Sequence, residues 1–495
     1  DRPRPTTALY RNDGNWQFTD VSAEAGLNIA CYGMGVAVGD YDNDGWVDVF
    51  ISAVGRNRLF RNVEGRFVEV TEQAGVAGEE DAWSTACGFF DYDHDGDLDL
   101  LVCNYVVWSR EIDTALDCRL TGRLRAYCRP DAFAGTFPYL YRNDGQGKFT
   151  DVSARAGVQI RNPITKVPLA KSLGLIPVDF DADGWIDFVV ANDTVQNLAF
   201  RNRGDGTFEE LGAERGIAFD ANGNARGAMG IDAAYFRNDD ALGVAIGNFA
   251  NEPTALYVTH GRELQFTDDA NVTGIGPPSQ SRLKFGLFFF DFDLDGRLDV
   301  FTANGHLEDE INKLQESQHY EQPPHLFCNC GPEAESEFVL MPPGSLGQDF
   351  ERPLVGRGAL YADFDDDGDL DVLITAIRSP PRLLRNDQRL GHHWLRVKLI
   401  GRHCNRDAIG AWIEAHVAGT VQRRQVMPTR SYLSQVELPV TFGLGKANRV
   451  DRLIVHWPDG SRQEVVPDGV DRLLVIEQAT QAKLARNRRF GRPVA

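Results

Sequence analysis

No run of apolar residues in this chain approaches the roughly 18 needed to span a bilayer. The compact catalytic signatures are also missing: there is no HExxH, no Walker A phosphate loop, no CxxCH haem site and no zinc-finger spacing. These absences exclude a single helical membrane anchor and the commonest metalloprotease, nucleotide-hydrolase and haem chemistries. Cysteine is scarce, 8 among 495 residues, too few to staple a protein of this size. Cations are outnumbered, with 51 Lys and Arg against 72 Asp and Glu; the formal charge of −21 repels nucleic acid. The start, Asp1-Arg-Pro-Arg-Pro, is polar and lacks a signal-peptide pattern, so the sequence reads as a processed chain or a trimmed piece of one. Against these absences stand 42% hydrophobic residues and a length that allows a large core and two or more domains.

What the chain has in abundance is aspartate at fixed spacing. Asp91-Tyr-Asp-His-Asp-Gly-Asp-Leu-Asp99 puts a carboxylate at its first, third, fifth and ninth positions, which are Asp91, Asp93, Asp95 and Asp99. Alternating Asp residues fold three carboxylates onto one cation, Gly96 allows the sharp turn, the carbonyl of Asp97 supplies a further oxygen and Asp99 closes the shell. The pattern recurs at Asp40, Asp42, Asp44 and Asp48; at Asp179, Asp181, Asp183 and Asp187; at Asp291, Asp293, Asp295 and Asp299; and at Asp363, Asp365, Asp367 and Asp371. Trp46, Trp185, Arg297 and Asp369 hold the carbonyl position of Asp97. Hard oxygen donors without His or Cys select calcium, and five sites are expected. Five dications would cancel about half of the negative charge.

Between the Asp loops runs a second repeat: an apolar pair, Arg-Asn, a Gly-containing turn, Phe and a short polar strand. It stands at Leu9 to Gly26, Leu59 to Gly75, Leu140 to Gly157 and Ala199 to Gly216, with weaker copies from Leu256, Leu326 and Leu383. Each unit is thus four short strands, and units of about 50 residues read as blades of an all-β propeller, six by count and seven by the alternative. The double-length gap between Asp179 and Asp291 hides a decayed sixth copy. There Tyr235, Arg237 and Gly243 replace three of the four Asp, so no calcium is expected and Arg237 stands in for the cation. The strand pair from Leu9 to Val21 is expected to complete the last blade as a clasp.

Insertions fall near residues 105–137 and 305–324, the second with a charged run compatible with a helix. From Trp394 the register changes to alternating strands, so the expected organisation is a propeller over 1–387, a small β-sandwich over 388–480 and a basic tail over 481–495. Cys118 and Cys128, ten apart in an irregular segment, read as a disulfide, and Cys328 with Cys330 as a second, strained candidate. Calcium sites and disulfides together point to a secreted or periplasmic protein, because cytosolic calcium is too low to fill ordinary sites.

Counting five residues beyond each loop lands on Ala53, Asn104, Asn192, Asn248, Asn304 and Ala376, so four of six units place Asn where the second strands end on the face away from calcium. The loops feeding the first strands bring Lys171, Arg226, Arg282, Lys284 and Arg357 to the same mouth, near Tyr105, Asp193, Glu252 and His306. This set is expected to form a polar pocket able to hold an anionic group, with His306, Asp193 or Glu252 for any proton transfer. Capping of local turns by the Asn amides competes with that reading. His306, Glu308, Asp309, His319 and His325 match no metal cage and read as solvated loop residues.

The phrases Asn405-Arg-Asp-Ala-Ile-Gly410, Tyr432-Leu-Ser-Gln435, Phe442-Gly-Leu-Gly445 and Trp457-Pro-Asp-Gly460 resemble the terminal domain of FG-GAP/VCBS repeat proteins that end in an ASPIC and UnbV domain. Ala191-Asn-Asp-Thr194, Asn248-Phe-Ala-Asn-Glu252 and Ala303-Asn-Gly-His306 resemble their propeller. Cys404 and the lost fourth loop depart from the pattern. The resemblance, to a group that includes cartilage acidic protein, implies an extracytoplasmic calcium-binding propeller and no particular reaction. Two functions follow: a binding or assembly module for a protein or glycan partner, favoured by the absent catalytic motifs, or a biosynthetic enzyme of cyclase or hydrolase type acting on a small anionic molecule in the polar pocket.

Overall fold

Each repeat places two apolar strands around an Asp loop and two more around a Gly turn, which is enough to close one antiparallel sheet. The computed structural model describes residues 6–120, 122, 124–260 and 265–480 and the backbone of 485–486. In it the first sheet runs Gly33–Gly39, Asp48–Ala53, Arg58–Val63 and Arg66–Glu69. The second runs Ser84–Phe90, Asp99–Asn104, Tyr139–Asn143 and Phe149–Asp151, and the third Ser172–Pro177, Phe188–Asn192, Leu198–Asn202 and Phe208–Glu210. The fourth, containing the decayed loop, runs Ala228–Ala234, Gly243–Asn248, Ala255–His260 and Gln265–Asp268. The fifth runs Lys284–Phe290, Asp299–Asn304, His325–Asn329 and Phe338–Leu340; the sixth has three strands, Gly356–Ala362, Asp371–Ala376 and Arg382–Leu384.

The first strands of successive sheets pack side by side around a central channel, giving the all-β propeller that the repeats predict. Every first strand bulges, and in five of the six a glycine sits at the bend, the second sheet having Ala86 there. A Cβ on Gly230 would lie 2.0 Å from the Phe285 carbonyl oxygen, and one on Gly174 would lie 2.1 Å from that of Met229. Neighbouring backbones meet so closely that no side chain fits between them.

Two features depart from the sequence reading. The N-terminal pair Tyr10–Asn12 and Phe18–Asp20 forms its own sheet and does not complete the sixth. Asn143, Asn202, Asn329 and Asn386 each donate a side-chain N–H to the carbonyl of the aromatic residue in the preceding sheet's loop. Asn12 does the same to Phe364, 2.7 Å away, so the pair stands one place beyond the sixth sheet. The segment expected to be helical holds only a short turn, Ile311–Lys313.

After the propeller the chain forms two facing sheets. One orders Val440–Gly445, His393–Ile400 and Arg472–Glu477; the other orders Thr420–Gln425, Trp412–Val417, Arg452–His456, Ser461–Val465 and Ala485–Arg486. Leu395, Val397, Ile413, Phe442, Leu453 and Trp457 make up the core between them. The predicted basic tail lies outside the described residues apart from that last backbone pair. A hairpin of this unit, Thr429–Arg430 with Ser434–Gln435, enters the central channel between the sixth and first sheets. There Ser431 exchanges backbone hydrogen bonds with Ile231, and Arg430 pairs with the fully buried Asp232 at 3.2 Å.

Gly230→Ala should lower the unfolding free energy by about 1–3 kcal/mol, the usual cost of overpacking. Gly469→Ala, with nothing within 4 Å of its Cβ, should be nearly neutral; urea denaturation of both variants checks the contrast.

Candidate functional site

The Asp loops turn because their own carboxylates receive the backbone amides of the turn. In the first loop, the Asp40 carboxylate accepts from Asp44 and Gly45 at 2.9 and 2.7 Å, and Asp44 accepts from Trp46 at 2.9 Å. The same contact to the fifth-position carboxylates Asp95, Asp183, Asp295 and Asp367 is made by the amides of Asp97, Trp185, Arg297 and Asp369. The ninth-position Asp ties two strands together: Asp48 accepts from Tyr41 in its own loop and from Asn62 on the third strand. Asp99, Asp187, Asp299 and Asp371 repeat both bonds. The fourth residue of each loop is left-handed, with φ of 58° at Asn43 and 59° at His94, and Gly45 and Gly96 follow at 96° and 94°.

After these bonds, one set of atoms is left over. The third-position carboxylates Asp42, Asp93, Asp181 and Asp365 each bury an Oδ1 without a hydrogen-bond partner. Within each of five loops three carboxylates offer oxygens within 4.8 Å of one another: Asp40, Asp42 and Asp48; Asp91, Asp93 and Asp99; Asp179, Asp181 and Asp187; Asp291, Asp293 and Asp295; Asp363, Asp365 and Asp371.

Of the expected four-Asp ligand sets, Asp44, Asp95, Asp183 and Asp367 stand outside these groups of three; each turns one oxygen to the amide two residues on, as Asp95 does to Asp97 at 3.0 Å, and keeps its other oxygen. In the remaining loop Asp295 joins the group and Asp299 does not.

Burial, reinforced by neighbouring Asp charges, pushes Asp48 and Asp291 up to about 8 and Asp91 and Asp371 up to about 7. An all-oxygen donor set with buried, unpaired negative oxygens fits a hard dication. Outside the cluster, Arg61 and Arg201, from the Arg-Asn phrase, clamp Asp42 and Asp181, each at 2.6 Å.

No such cluster occurs at the decayed loop among the described residues. Arg237 does not fill the cation's place, which corrects the sequence reading: its guanidinium makes two 2.7 Å bonds to Glu337. Tyr235 packs instead against Trp412 of the terminal unit, with Arg423 over its ring.

The terminal unit covers the loop face. Asp407 accepts from the Asp40 amide at 2.7 Å, Arg406 donates its amide to Asn43 at 2.9 Å, and Arg396 pairs with Asp363 at 2.8 Å. Buried Arg424 donates to the Gly296 carbonyl at 3.0 Å. Sequence reasoning missed these contacts, although Asn405-Arg-Asp407 was visible as a phrase.

On the opposite face the expected ring of Asn ligands is corrected. Asn104, Asn192, Asn248 and Asn304 are buried, and their amides donate to the carbonyls of Phe137, Gln196, Pro253 and Pro323 at 2.7–2.9 Å. They cap turns of their own sheets. Most of the expected cations are also engaged locally. Lys171 donates to the Pro130 carbonyl, Lys284 to those of Glu252, Ser279 and Arg282, Arg226 pairs with Asp220, and Arg282 donates to His325.

What does gather at the mouth is smaller and more aromatic. The Tyr105 hydroxyl donates to Asp193 at 2.6 Å, and burial pushes that carboxyl up to about 6. Tyr432, at the tip of the channel hairpin, packs edge-on against Phe285 at 4.9 Å, and Arg357 lies over the same ring at 4.1 Å. Glu252 accepts from the Gly227 amide, and His306, lowered to about 4 by burial, accepts from that of Glu308. His306 and His325 are buried, which corrects their reading as solvated loop residues, and His325 is held by Arg282. The insertion beside this mouth is closed by a Cys118–Cys128 disulfide, as predicted; Cys328 and Cys330 are free thiols, which corrects the second candidate.

Residues 401–483 match the family model described as ASPIC and UnbV, and residues 4–51, 40–102 and 179–246 match that of an FG-GAP-like repeat. Cartilage acidic protein 1 of Homo sapiens is 28% identical over 318 residues, 63% of this chain and 43% of that protein; its Mus musculus counterpart is 27% identical over the same length, 44% of the protein. The chain thus spans less than half the length of these relatives. Among solved structures, the Dos1 propeller aligns with 94% of this chain and 85% of its own at 9% identity, but its TM-score of 0.34 is too low to carry detail.

The Tyr105 hydrogen bond holds Asp193 below where burial alone would put it. Tyr105→Phe should therefore move the Asp193 titration above about 6, read by carbon NMR of labelled Asp. The sign for stability follows: a carboxyl raised in the folded state weakens folding as pH climbs through the interval above its ordinary value, and the variant should extend that loss to higher pH.

Proposed function

The chain belongs with the FG-GAP repeat proteins that end in an ASPIC and UnbV domain, and from that we propose that it is a calcium-stabilised binding or assembly module that acts outside the cytoplasm, secreted or periplasmic. The propeller, 1–387, would hold calcium in five loops through the grouped Asp carboxylates and the seventh-position carbonyl, with the fifth-position Asp shaping the turn around the ion. The sandwich, 388–480, locks the loop face. The observation that carries the reading is this coverage: one face is closed by the sandwich, which leaves the opposite face for a partner.

Exposed apolar side chains on that face support the reading. Tyr32, Tyr127 and Ile164 are 72%, 71% and 87% exposed, and each lies in an insertion or a loop feeding a first strand. Exposed aromatic and aliphatic side chains on the uncovered side of an acidic protein support an interaction surface for a protein or glycan partner. A helix long and apolar enough to cross a membrane is absent among the described residues. One observation supports the enzyme reading: the buried Tyr105–Asp193 pair, with Arg357 nearby, is a perturbed acid at a polar mouth.

Each filled site should contribute roughly 2.7 kcal/mol at a hundredfold excess of calcium over its dissociation constant. EGTA should therefore lower Tm markedly, and a melt unchanged by EGTA would remove calcium from the account. The double variant Tyr127→Asp with Ile164→Asp should keep the calcium-dependent melt and lose partner proteins captured by the wild type. Identical capture by both would move the binding surface elsewhere.

A further inference from the structure

We propose that the outer edge of the sixth sheet receives an extended acidic peptide, which adds itself as the missing fourth strand and inserts an aromatic side chain between the fifth and sixth sheets. This site lies on the propeller rim and does not depend on the opposite-face reading.

The other five sheets show what is missing. In the second to fifth, the fourth strand carries a Phe that enters the gap toward the preceding sheet. Phe149 meets Tyr41 at 5.5 Å, Phe208 meets Tyr92 at 5.8 Å, Phe266 meets Phe180 at 6.3 Å and Phe338 meets Phe236 at 5.5 Å. The partner is each time the aromatic second residue of the preceding loop. For the sixth sheet that residue is Phe292, and Asn386 still donates to its carbonyl at 2.6 Å, so the register is intact to that point. Then the chain leaves as Asp387-Gln-Arg-Leu390 for the sandwich, without a Gly turn or a Phe. The N-terminal Phe18 is no substitute, because it packs against Phe364, one sheet further on.

The place left behind is a cavity of about 890 Å³ along residues 383–390, lined by Phe292, Phe301, Leu326, Met341, Leu346 and Leu384. Its edge is also open. In the complete sheets a fourth-strand amide bonds to a third-strand carbonyl: Val70 to Leu59, Val152 to Leu140, Leu211 to Ala199, Asp269 to Leu256 and Met341 to Leu326. Leu383 holds the corresponding position and receives no such bond among the described residues. An unpaired edge beside an apolar slot is the geometry of strand addition, in which backbone bonds supply affinity and the slot supplies specificity.

Charge narrows the occupant. Native fourth strands carry carboxylates that pair with third-strand cations, Glu69 with Arg58 at 2.8 Å and Glu209 with Arg203 at 3.1 Å. The open edge and its exit carry Arg382, Arg385 and Arg389. Arg382 is taken up by the carbonyls of Asp349, Arg352 and Pro353, while Arg385 pairs with exposed Asp387 at 2.9 Å and lies over Trp16, so Arg385 and Arg389 are the cations a peptide carboxylate would meet. The fitting segment is thus extended and acidic, with one large aromatic.

The test uses the full calcium-loaded chain and a labelled synthetic peptide with the sequence of Gly206–Glu214, the third sheet's own fourth strand. Fluorescence anisotropy should give saturable binding, and hydrogen exchange should show new protection confined to residues 382–386. Replacing Phe208 of the peptide by Asp, or methylating its Leu211 amide nitrogen, should each weaken binding by at least about tenfold. Failure to bind at about 1 mM, where even a weak interaction registers, would overturn the proposal. So would equal binding of the altered peptides, or protection elsewhere in the chain.

Discussion

Crowded, buried carboxylates are the constraint around which this molecule is built. In each intact loop the first Asp bends the turn by accepting its amides, and the ninth Asp ties that turn to the third strand. With those oxygens engaged, the third Asp of four loops is left with a buried oxygen and no protein donor, while Asp293 of the fifth sheet's loop accepts from the Asp295 amide at 3.2 Å. Leaving such charge unpaired in a low-dielectric setting is costly, and the raised carboxyls around it express that cost. A dication removes it. Sheet geometry and metal site are therefore one structure, since the residues that would bind the ion also fix the spacing of the strands.

The fourth sheet shows what happens when the carboxylates go. Its loop keeps the left-handed residue, Asn238, but fills the interior with Tyr235 and turns Arg237 outward to Glu337. The terminal sandwich then uses the loop face as a platform, setting Arg396 against Asp363 and driving a hairpin down the channel to Tyr432. Arg430 and Asp232 pair deep inside; a buried pair of this kind adds little net stability over apolar packing, but losing one member costs about 3–5 kcal/mol. It fixes where the hairpin sits, and thereby links the terminal unit to the far mouth.

How much of this could be read from the chain depended on range. Asp91 to Asp99 states its own chemistry within nine residues, and Cys118 lies ten from Cys128, so both were legible. Within that loop the spacing could not separate Asp95, which serves the turn, from Asp91, Asp93 and Asp99, which converge. The hairpin was not legible, because Ser431 meets Ile231 and Gln435 meets Cys87 across hundreds of residues. Arg237 was misplaced for the same reason, its partner Glu337 lying a hundred positions on. The Asn residues were legible as a pattern and misread as a purpose: an amide at a strand end serves a turn as readily as a ligand, and only burial decides. The shortened sixth sheet had a signal that went unused, since no Phe stands among residues 387–395 that follow Asn386.

The claim on which all of this rests is that the five Asp clusters are metal sites. Elemental and native mass spectrometry of the full chain, purified without chelator and buffered with calcium, tests it most directly. The account predicts close to five calcium ions per chain, falling to close to four in an Asp365→Asn variant. A folded chain that carries no more than a trace of metal, with the same melting behaviour, would contradict it.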